Sequence, residues 1–316
     1  MFLLSDTSDI SACRSRVATI GFFDGVHRGH RYLIEQVREV AAVRGLASSV
    51  VTFPIHPRKV MKPDCRPDLL TTRDEKVALL AETGIDCCIM LDFTQEVARL
   101  SARQFMAILK ERYRIAALVI GYDHRFGHNR SEGFDDYVHY GKELGMEVLL
   151  ARVYSYMRGG RESGAEGTVS SSAIRRLLLA GNVSEAAEYL GYDFFLNGTV
   201  VSGYQVGRKI GFPTANLHLN DPDKLVPADG VYAVRVSIGG TEYGGMLSIG
   251  YRPTFNNGAN RSIEVHIFDF DADIYQQPMR ISFVRFMRPE LKFDTVEALV
   301  ARIRRDEKEI RAVLSC

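Results

Sequence analysis

Residues 17–30 read Val-Ala-Thr-Ile-Gly-Phe-Phe-Asp-Gly-Val-His-Arg-Gly-His, and this stretch decides how the first half of the chain folds. A short apolar run, Val17 to Phe22, passes through a glycine-spaced turn into a segment where Leu33, Ile34, Val37, Val40 and Ala41 recur at i, i+3, i+4 spacing. The run predicts a strand. The recurrence predicts a helix with one face on a sheet, stopped by Gly45. A strand that enters a helix through a tight turn aims backbone N–H groups and the positive end of the helix dipole at one place, which makes an anion site.

Outward from this unit the pattern repeats. Short apolar runs at Ser49–Phe53, Cys87–Leu91, Ala117–Gly121 and Glu147–Val153 alternate with longer, helix-spaced segments, which predicts parallel strands joined by crossover helices. Arg158 to Thr168 reads as an exposed mobile loop. Ser170, Ser171 and Ser172 then offer N-caps to a helix containing Ile174, Leu177 and Leu178, and a short helix over Val183–Leu190 ends at Gly191. Beyond it the runs from Gly230, Ser262 and Met279 alternate in period two between glycine-rich turns, predicting an antiparallel sheet or barrel. Thr295 to Leu314 returns to helical spacing. The 316 residues therefore divide into an α/β domain, 1–184, and a mainly β domain, 185–316.

Composition excludes several functions. With 46% hydrophobic and 25% charged residues and a net charge of +1, the chain has no global positive field to hold nucleic acid or an anionic membrane. It lacks a membrane-length apolar stretch and a secretory N-terminus, so the cytoplasm is the expected location. Cys13, Cys65, Cys87, Cys88 and Cys316 show no CxxC spacing and read as free thiols. Oligomeric state is not legible.

At the first turn, His27 and His30 stand where two imidazoles would donate to phosphate oxygens during an in-line displacement, without a nucleophilic side chain. Surface turn residues, or a zinc pair, are the competing readings; the two histidines span a turn and lack a nearby third ligand. The segment Gly21 to His30 resembles the signature of the nucleotidyltransferase superfamily in the form found in bacterial FMN adenylyltransferases. Thr52-Phe-Pro-Ile-His-Pro, Gly121-Tyr-Asp-His-Arg-Phe-Gly-His and Ser170-Ser-Ser-Ala-Ile-Arg fit in order. The resemblance implies a Rossmann-like parallel sheet. It also implies ATP phosphates held by Gly21, Phe23, Asp24, Gly25, Gly29, Ser171 and Ser172, catalytic His27, His30 and Arg175, and flavin contacts at Asp123 and Phe126. Ser172 replaces the family's usual Thr, and His124 stands where the family often has an aromatic residue.

In the second domain, Gly203, Gly207 and Gly211 permit close backbone approach to a ligand, and Arg208 and Lys209 add positive charge. Such spacing is also common in ordinary β turns. The segment Gly211-Phe-Pro-Thr-Ala-Asn resembles the signature of riboflavin kinases, which implies a six-stranded antiparallel barrel, with Thr214 and Asn216 on Mg²⁺ and ATP phosphates and Pro213 beside the flavin. The matches continue through Pro227-Ala-Asp-Gly-Val-Tyr-Ala, Ser248-Ile-Gly-Tyr-Arg-Pro-Thr-Phe and Ser262-Ile-Glu-Val-His-Ile-Phe. The resemblance makes Glu264 the general base for a ribityl hydroxyl, with Ile263 and Val265 on the opposite face of its strand. Gln276 and Gln277 follow Tyr275 where that family commonly has a glycine, so the turn there is expected to differ.

Together the two resemblances cover nearly the whole chain and imply a bifunctional enzyme that makes FMN from riboflavin and FAD from FMN, with ATP as co-substrate of both steps and Mg²⁺ serving both. The alternatives are a flavin- or nucleotide-binding regulatory protein, and an enzyme retaining only one activity.

Overall fold

The structure is a computed structural model that describes residues 1–5, 14–62, 64, 66–122, 124–155, 157–158, 161–162, 169–203, 206–251 and 261–315. Two compact units divide the chain, Met1–Ser171 and Ser172–Cys316.

The first unit runs β1 (Phe2–Ser5), β2 (Arg16–Ile20), α1 (Arg28–Arg44), β3 (Ala47–Thr52), α2 (Pro57–Met61), α3 (Arg73–Glu82), β4 (Cys87–Met90), α4 (Gln95–Arg99), α5 (Ala102–Tyr113), β5 (Ile115–Ile120), α6 (Phe134–Leu144) and β6 (Glu147–Leu150). Its six strands form one sheet in the order β1-β4-β3-β2-β5-β6, and every pairing is parallel. The chain winds outward from β2 through β3 to β4, then returns to place β5 on the other side of β2. That reversal opens a crevice at the C-terminal strand ends, the usual ligand position in such sheets. The expected helix is α1, whose end Gly45 takes a left-handed φ of 65°.

β1 is an element the sequence reading lacked: its four residues pair with β4 and extend the sheet at its edge. Within the expected loop at 158–168, β7 (Met157–Arg158) pairs antiparallel with β8 (Arg161–Glu162), and residues 159–160 and 163–168 lie outside the described residues.

At the division, α7 (Ser171–Leu179) leads into α8 (Val183–Leu190), which ends at Gly191 with a φ of 86°. There follow β9 (Phe195–Val201), α9 (Val206–Lys209), β10 (Ala215–His218), β11 (Gly230–Ile238), β12 (Thr241–Tyr251), β13 (Arg261–Ile267), β14 (Pro278–Arg288) and α10 (Val296–Leu314). The six strands close into a barrel in the order β10-β13-β12-β11-β14-β9, and every pairing is antiparallel. Tyr232, Leu247 and Val265 stand opposite one another across three strands and are fully buried. Closure turns that face into the interior and removes the exposed edges an open sheet would leave. On the outside, Ile310 of α10 packs with Val231, Ala233 and Phe268.

The Tyr275 turn closes despite lacking glycine. Gln276 adopts a φ of 62° and its N–H donates to the Val200 carbonyl at 2.9 Å. That left-handed backbone is costly for a residue with a Cβ, whereas glycine adopts it freely.

Candidate functional site

The first site is the turn between β2 and α1. Phe23, Gly25 and Val26 all take positive φ, at 54°, 79° and 36°, so the turn is strained at two non-glycine positions and must be held by its surroundings. Asp24 supplies the hold. Its buried carboxylate accepts from the Leu70 and Thr71 amides at 3.0 Å each and from the Thr71 hydroxyl at 3.1 Å. That hydroxyl also accepts from Gly25 N–H at 3.1 Å, and Ser171 donates to the Asp24 carbonyl at 2.9 Å. A Cβ on Gly21 would meet the Phe23 ring, and one on Gly29 the His27 ring.

His27 caps α1: its Nδ1 accepts from the His30 amide at 3.3 Å. An accepting Nδ1 puts the proton of the neutral ring on Nε2, which becomes the donor available to an anion. The two imidazoles stack with centroids 3.6 Å apart and planes 16° from parallel. Burial pushes the His30 pKa well below its ordinary value, and the neighbouring His27, Lys76 and His124 push it further in the same direction. His30 is therefore held in its neutral form. Its Nδ1 is enclosed with no hydrogen-bond partner among the described residues.

Beside this turn, a cavity of about 140 Å³ is lined by Gly21, Phe22, Phe53, Phe93, Phe105, His124 and Phe126, with Arg125 and Arg130. Its walls are aromatic and its rim is cationic, as suits a flat ring carrying an anionic tail. Phe126, expected at the flavin, lies here. Asp123 falls outside the described residues. Ser172 and Arg175 lie on α7, in the second unit; Arg175 is one turn from Ser171.

The second site lies on β10, β12 and β13. Asn216 stands opposite Glu264, and Glu264 stands opposite Ser248, so the three share a sheet face. Ile263 and Val265 are buried on the other face, as the alternation predicts. The Thr214 hydroxyl donates to Glu264 Oε2 at 3.2 Å. A Cβ on Gly203 would overlap the Asn216 side chain, and one on Gly207 would strike the Phe212 carbonyl, so both glycines permit a close backbone approach. Gly211 has a φ of 86°. The side chain of Lys209 lies outside the described residues.

Two cavities meet at Thr214. One of about 290 Å³ is lined by Arg208, Pro213, Thr214 and the segment from Phe270 to Tyr275. The other, about 340 Å³, holds Glu264, Ser248, Ser262, His266, Arg288 and Glu290. A two-chambered site joined at a hydroxyl and a carboxylate can hold two substrates with their reacting ends together. His266, which sequence reasoning passed over, faces Pro213: its Nδ1 lies 2.8 Å from the Pro213 carbonyl, and its ring is edge-on to Phe212. Its spacing from Glu264, two residues along a strand, was the available signal. Asp306 on α10, 1% exposed, ion-pairs with Arg288 at 2.7 Å and Arg302 at 2.8 Å and closes the floor of the larger chamber.

A riboflavin kinase family model matches residues 190–314, and an FAD synthetase model matches residues 9–163. The chain belongs to the bifunctional riboflavin kinase/FMN adenylyltransferase family. A relative of that name from Listeria monocytogenes is 36% identical over 300 residues, 94% of this chain and 92% of its own. One from Escherichia coli is 36% identical over 297 residues, 93% and 91% of the two chains. A crystal structure described as a macrolide-efflux protein from Streptococcus pneumoniae shares 33% identity and a TM-score of 0.87, covering 98% of this chain and 99% of that one. Among the described residues of this family member, no helix is long and apolar enough to cross a membrane.

A Mg²⁺ ion would find chemically suitable ligands at this second site. Thr214 and Asn216 carry hard oxygen donors, as Mg²⁺ prefers, and a magnesium held largely by substrate phosphates needs only one or two protein ligands. No group of three His, Cys, Asp or Glu able to hold a metal occurs among the described residues.

Proposed function

We infer that this chain converts riboflavin to FMN on the barrel and FMN to FAD on the α/β unit, consuming one ATP at each step. In the first reaction Glu264 takes the proton of the ribityl 5′-hydroxyl, the oxygen attacks the γ-phosphorus, and ADP leaves. Thr214 orients the carboxylate through its 3.2 Å hydrogen bond. Thr214 and Asn216 would hold Mg²⁺, which supplies charge neutralisation on the phosphates. Gly203, Gly207 and Gly211, with Arg208 and Lys209, form the phosphate approach, and Pro213 borders the flavin.

In the second reaction the FMN phosphate oxygen attacks the α-phosphorus of ATP and pyrophosphate leaves. The nucleophile is already an anion, so the site needs alignment and charge stabilisation rather than a base. His27 and His30 donate to the developing charge. Gly21, Phe23, Asp24, Gly25 and Gly29 shape the turn, Ser171 and Ser172 bind phosphate, and Arg175 draws on the triphosphate. The isoalloxazine ring lies against Phe126, with Asp123 at the same pocket. We assign the adenylyltransferase to residues 1–184 and the kinase to 185–316, with small molecules as partners and the cytoplasm as the location.

The observation that carries this reading is the pairing of opposite chemistries on one chain. Stacked imidazoles 3.6 Å apart supply N–H donors at one site, and a Thr-Asn-Glu oxygen set supplies a base at the other. Chromatography of the flavins formed from riboflavin, excess ATP and Mg²⁺, beside a reaction started from FMN, tests it. FMN followed by FAD is the expected result. FMN alone would remove the adenylyltransferase, FAD only from supplied FMN would remove the kinase, and no conversion would leave a binding protein.

A further inference from the structure

Lys76 on α3 is 1% exposed, yet neither of its hydrogen bonds goes to a carboxylate. Its Nζ donates to the Phe22 carbonyl at 3.1 Å and to the Phe53 carbonyl at 2.7 Å, and lies 3.9 Å from the centroid of the Phe22 ring. An ammonium enclosed with two carbonyls and an aromatic face is an expensive group to bury. A leucine at this point of the helix would satisfy the core at lower cost. The acceptors explain the lysine: Phe22 follows the end of β2, Phe53 follows the end of β3, and these adjacent strand tips border the crevice of the sheet. Both rings line the aromatic cavity beside the His27–His30 turn. The Phe22 carbonyl also accepts from the Thr52 hydroxyl at 3.1 Å, so two donors fix one peptide.

We propose that Lys76 is a positioning residue for FMN adenylylation: from behind the cavity, its ammonium pins the Phe22 and Phe53 peptides and thereby fixes the aromatic wall that seats the flavin ring. The proposal rests on the assignment of this cavity to the flavin. Removing the pin frees the wall rather than the reacting atoms, so the loss falls on FMN binding more than on turnover. It also gives FMN binding a pH dependence. Burial pulls the Lys76 pKa down to about 8, with Asp24 acting against that shift and Arg73 reinforcing it; Cys88, the other group facing it, is pushed up to about 12 by burial. His30, on the neighbouring turn, titrates far lower. Between pH 7 and 9 Lys76 is thus the group of this set that changes charge, and the neutral amine loses both the cation–π attraction and the charge-assisted strength of its hydrogen bonds.

The test is steady-state kinetics of FAD formation on the full chain for wild type, Lys76→Met and Ala98→Phe, with kcat and the KM for ATP in the same reaction, and the thermal unfolding of each preparation, as the control for folding of the α/β unit. Ala98 lines the cavity and Lys76 is not among its lining residues, so its replacement plugs the pocket by a separate route. The expected result for Lys76→Met is a KM for FMN raised about tenfold, with kcat and the KM for ATP within about threefold of wild type. Wild type is expected to show an FMN KM rising several-fold between pH 7 and 9, a limb absent from the variant. An FMN KM within twofold of wild type, or equal losses for FMN and ATP, overturns the proposal. If Ala98→Phe leaves the FMN KM unchanged, the flavin assignment of the cavity fails instead. The wild-type pH profile stands as a test even if Lys76→Met does not fold, and a flat profile overturns the proposal.

Discussion

The two sites of this chain handle the same phosphate donor with opposite side chains, and the contrast follows from their nucleophiles. At the barrel the nucleophile is an alcohol, which must lose a proton, and the face of β13 presents Glu264 with Thr214 hydrogen-bonded to it. At the strand tips of the α/β unit the nucleophile is a phosphate, already ionised. There the one carboxylate of the turn, Asp24, is buried and engaged with Leu70 and Thr71, so it steadies the backbone of the turn. A carboxylate engaged by backbone amides holds structure, whereas one that borders a cavity can meet a substrate. Asp24 sits in a glycine-rich turn and Glu264 in a strand; one holds the turn and the other faces a cavity.

The sharpest way to break the comparison is Glu264→Ala. Loss of a general base costs roughly a hundred- to ten-thousand-fold, so FMN formation should fall by about that much while FAD formation from supplied FMN stays within about twofold. Measuring both rates on one preparation decides the point: loss of both activities in a folded protein would mean the sites are not independent. The reciprocal variant, His30→Ala, should lower FAD formation by about a hundred- to a thousandfold, the usual cost of removing one preorganised donor. FMN formation should remain. Because burial lowers the His30 pKa well below its ordinary value, the FAD rate of the wild type should show no acid limb from His30 near pH 6.5. A limb at that pH, absent from His30→Ala, would contradict the lowered pKa.

Much of this contrast was legible in the sequence, for physical reasons that also mark where reading stops. Periodicity gave α1 and the buried face of β13, because burial on one side leaves a 3.6- or 2-residue trace. Gly45 and Gly191 announced helix ends because a left-handed φ selects glycine. β1 stayed hidden: four residues, Phe-Leu-Leu-Ser, carry too short a trace, and their strand character comes from pairing with Cys87–Met90, distant in sequence. Lys76 and Glu75 stayed hidden for a different reason. They occupy the buried stripe of α3 with Leu79 and Leu80, where a pattern of polar and apolar residues points the wrong face inward, and only the carbonyls of Phe22 and Phe53 account for the lysine. His266 was bypassed because its partner is a backbone carbonyl, which leaves no mark in a motif.

The smallest expected effect tests whether the chemistry is confined to one end of the parallel sheet. At the opposite end from the His27–His30 turn, Asp86 accepts from the Ser48 amide at 2.8 Å and the Ser48 hydroxyl at 2.6 Å, joining the starts of β3 and β4. These two hydrogen bonds hold its pKa below the ordinary carboxylate value. A carboxylate depressed on folding contributes stability at pH values above the unfolded pKa of about 3.9, and that contribution disappears as pH falls through the lower folded value. Asp86 is exposed, so solvent screening limits the effect to about 1 kcal/mol or less. Asp86→Ala should therefore lower the unfolding midpoint slightly at pH 7, and the difference from wild type should shrink as denaturation is followed from pH 5 towards pH 3. Both flavin-forming activities should be unchanged. A fall in FAD formation without loss of stability would mean that the far end of the sheet reaches the strand tips, and the division between a supporting end and a reacting end would not hold.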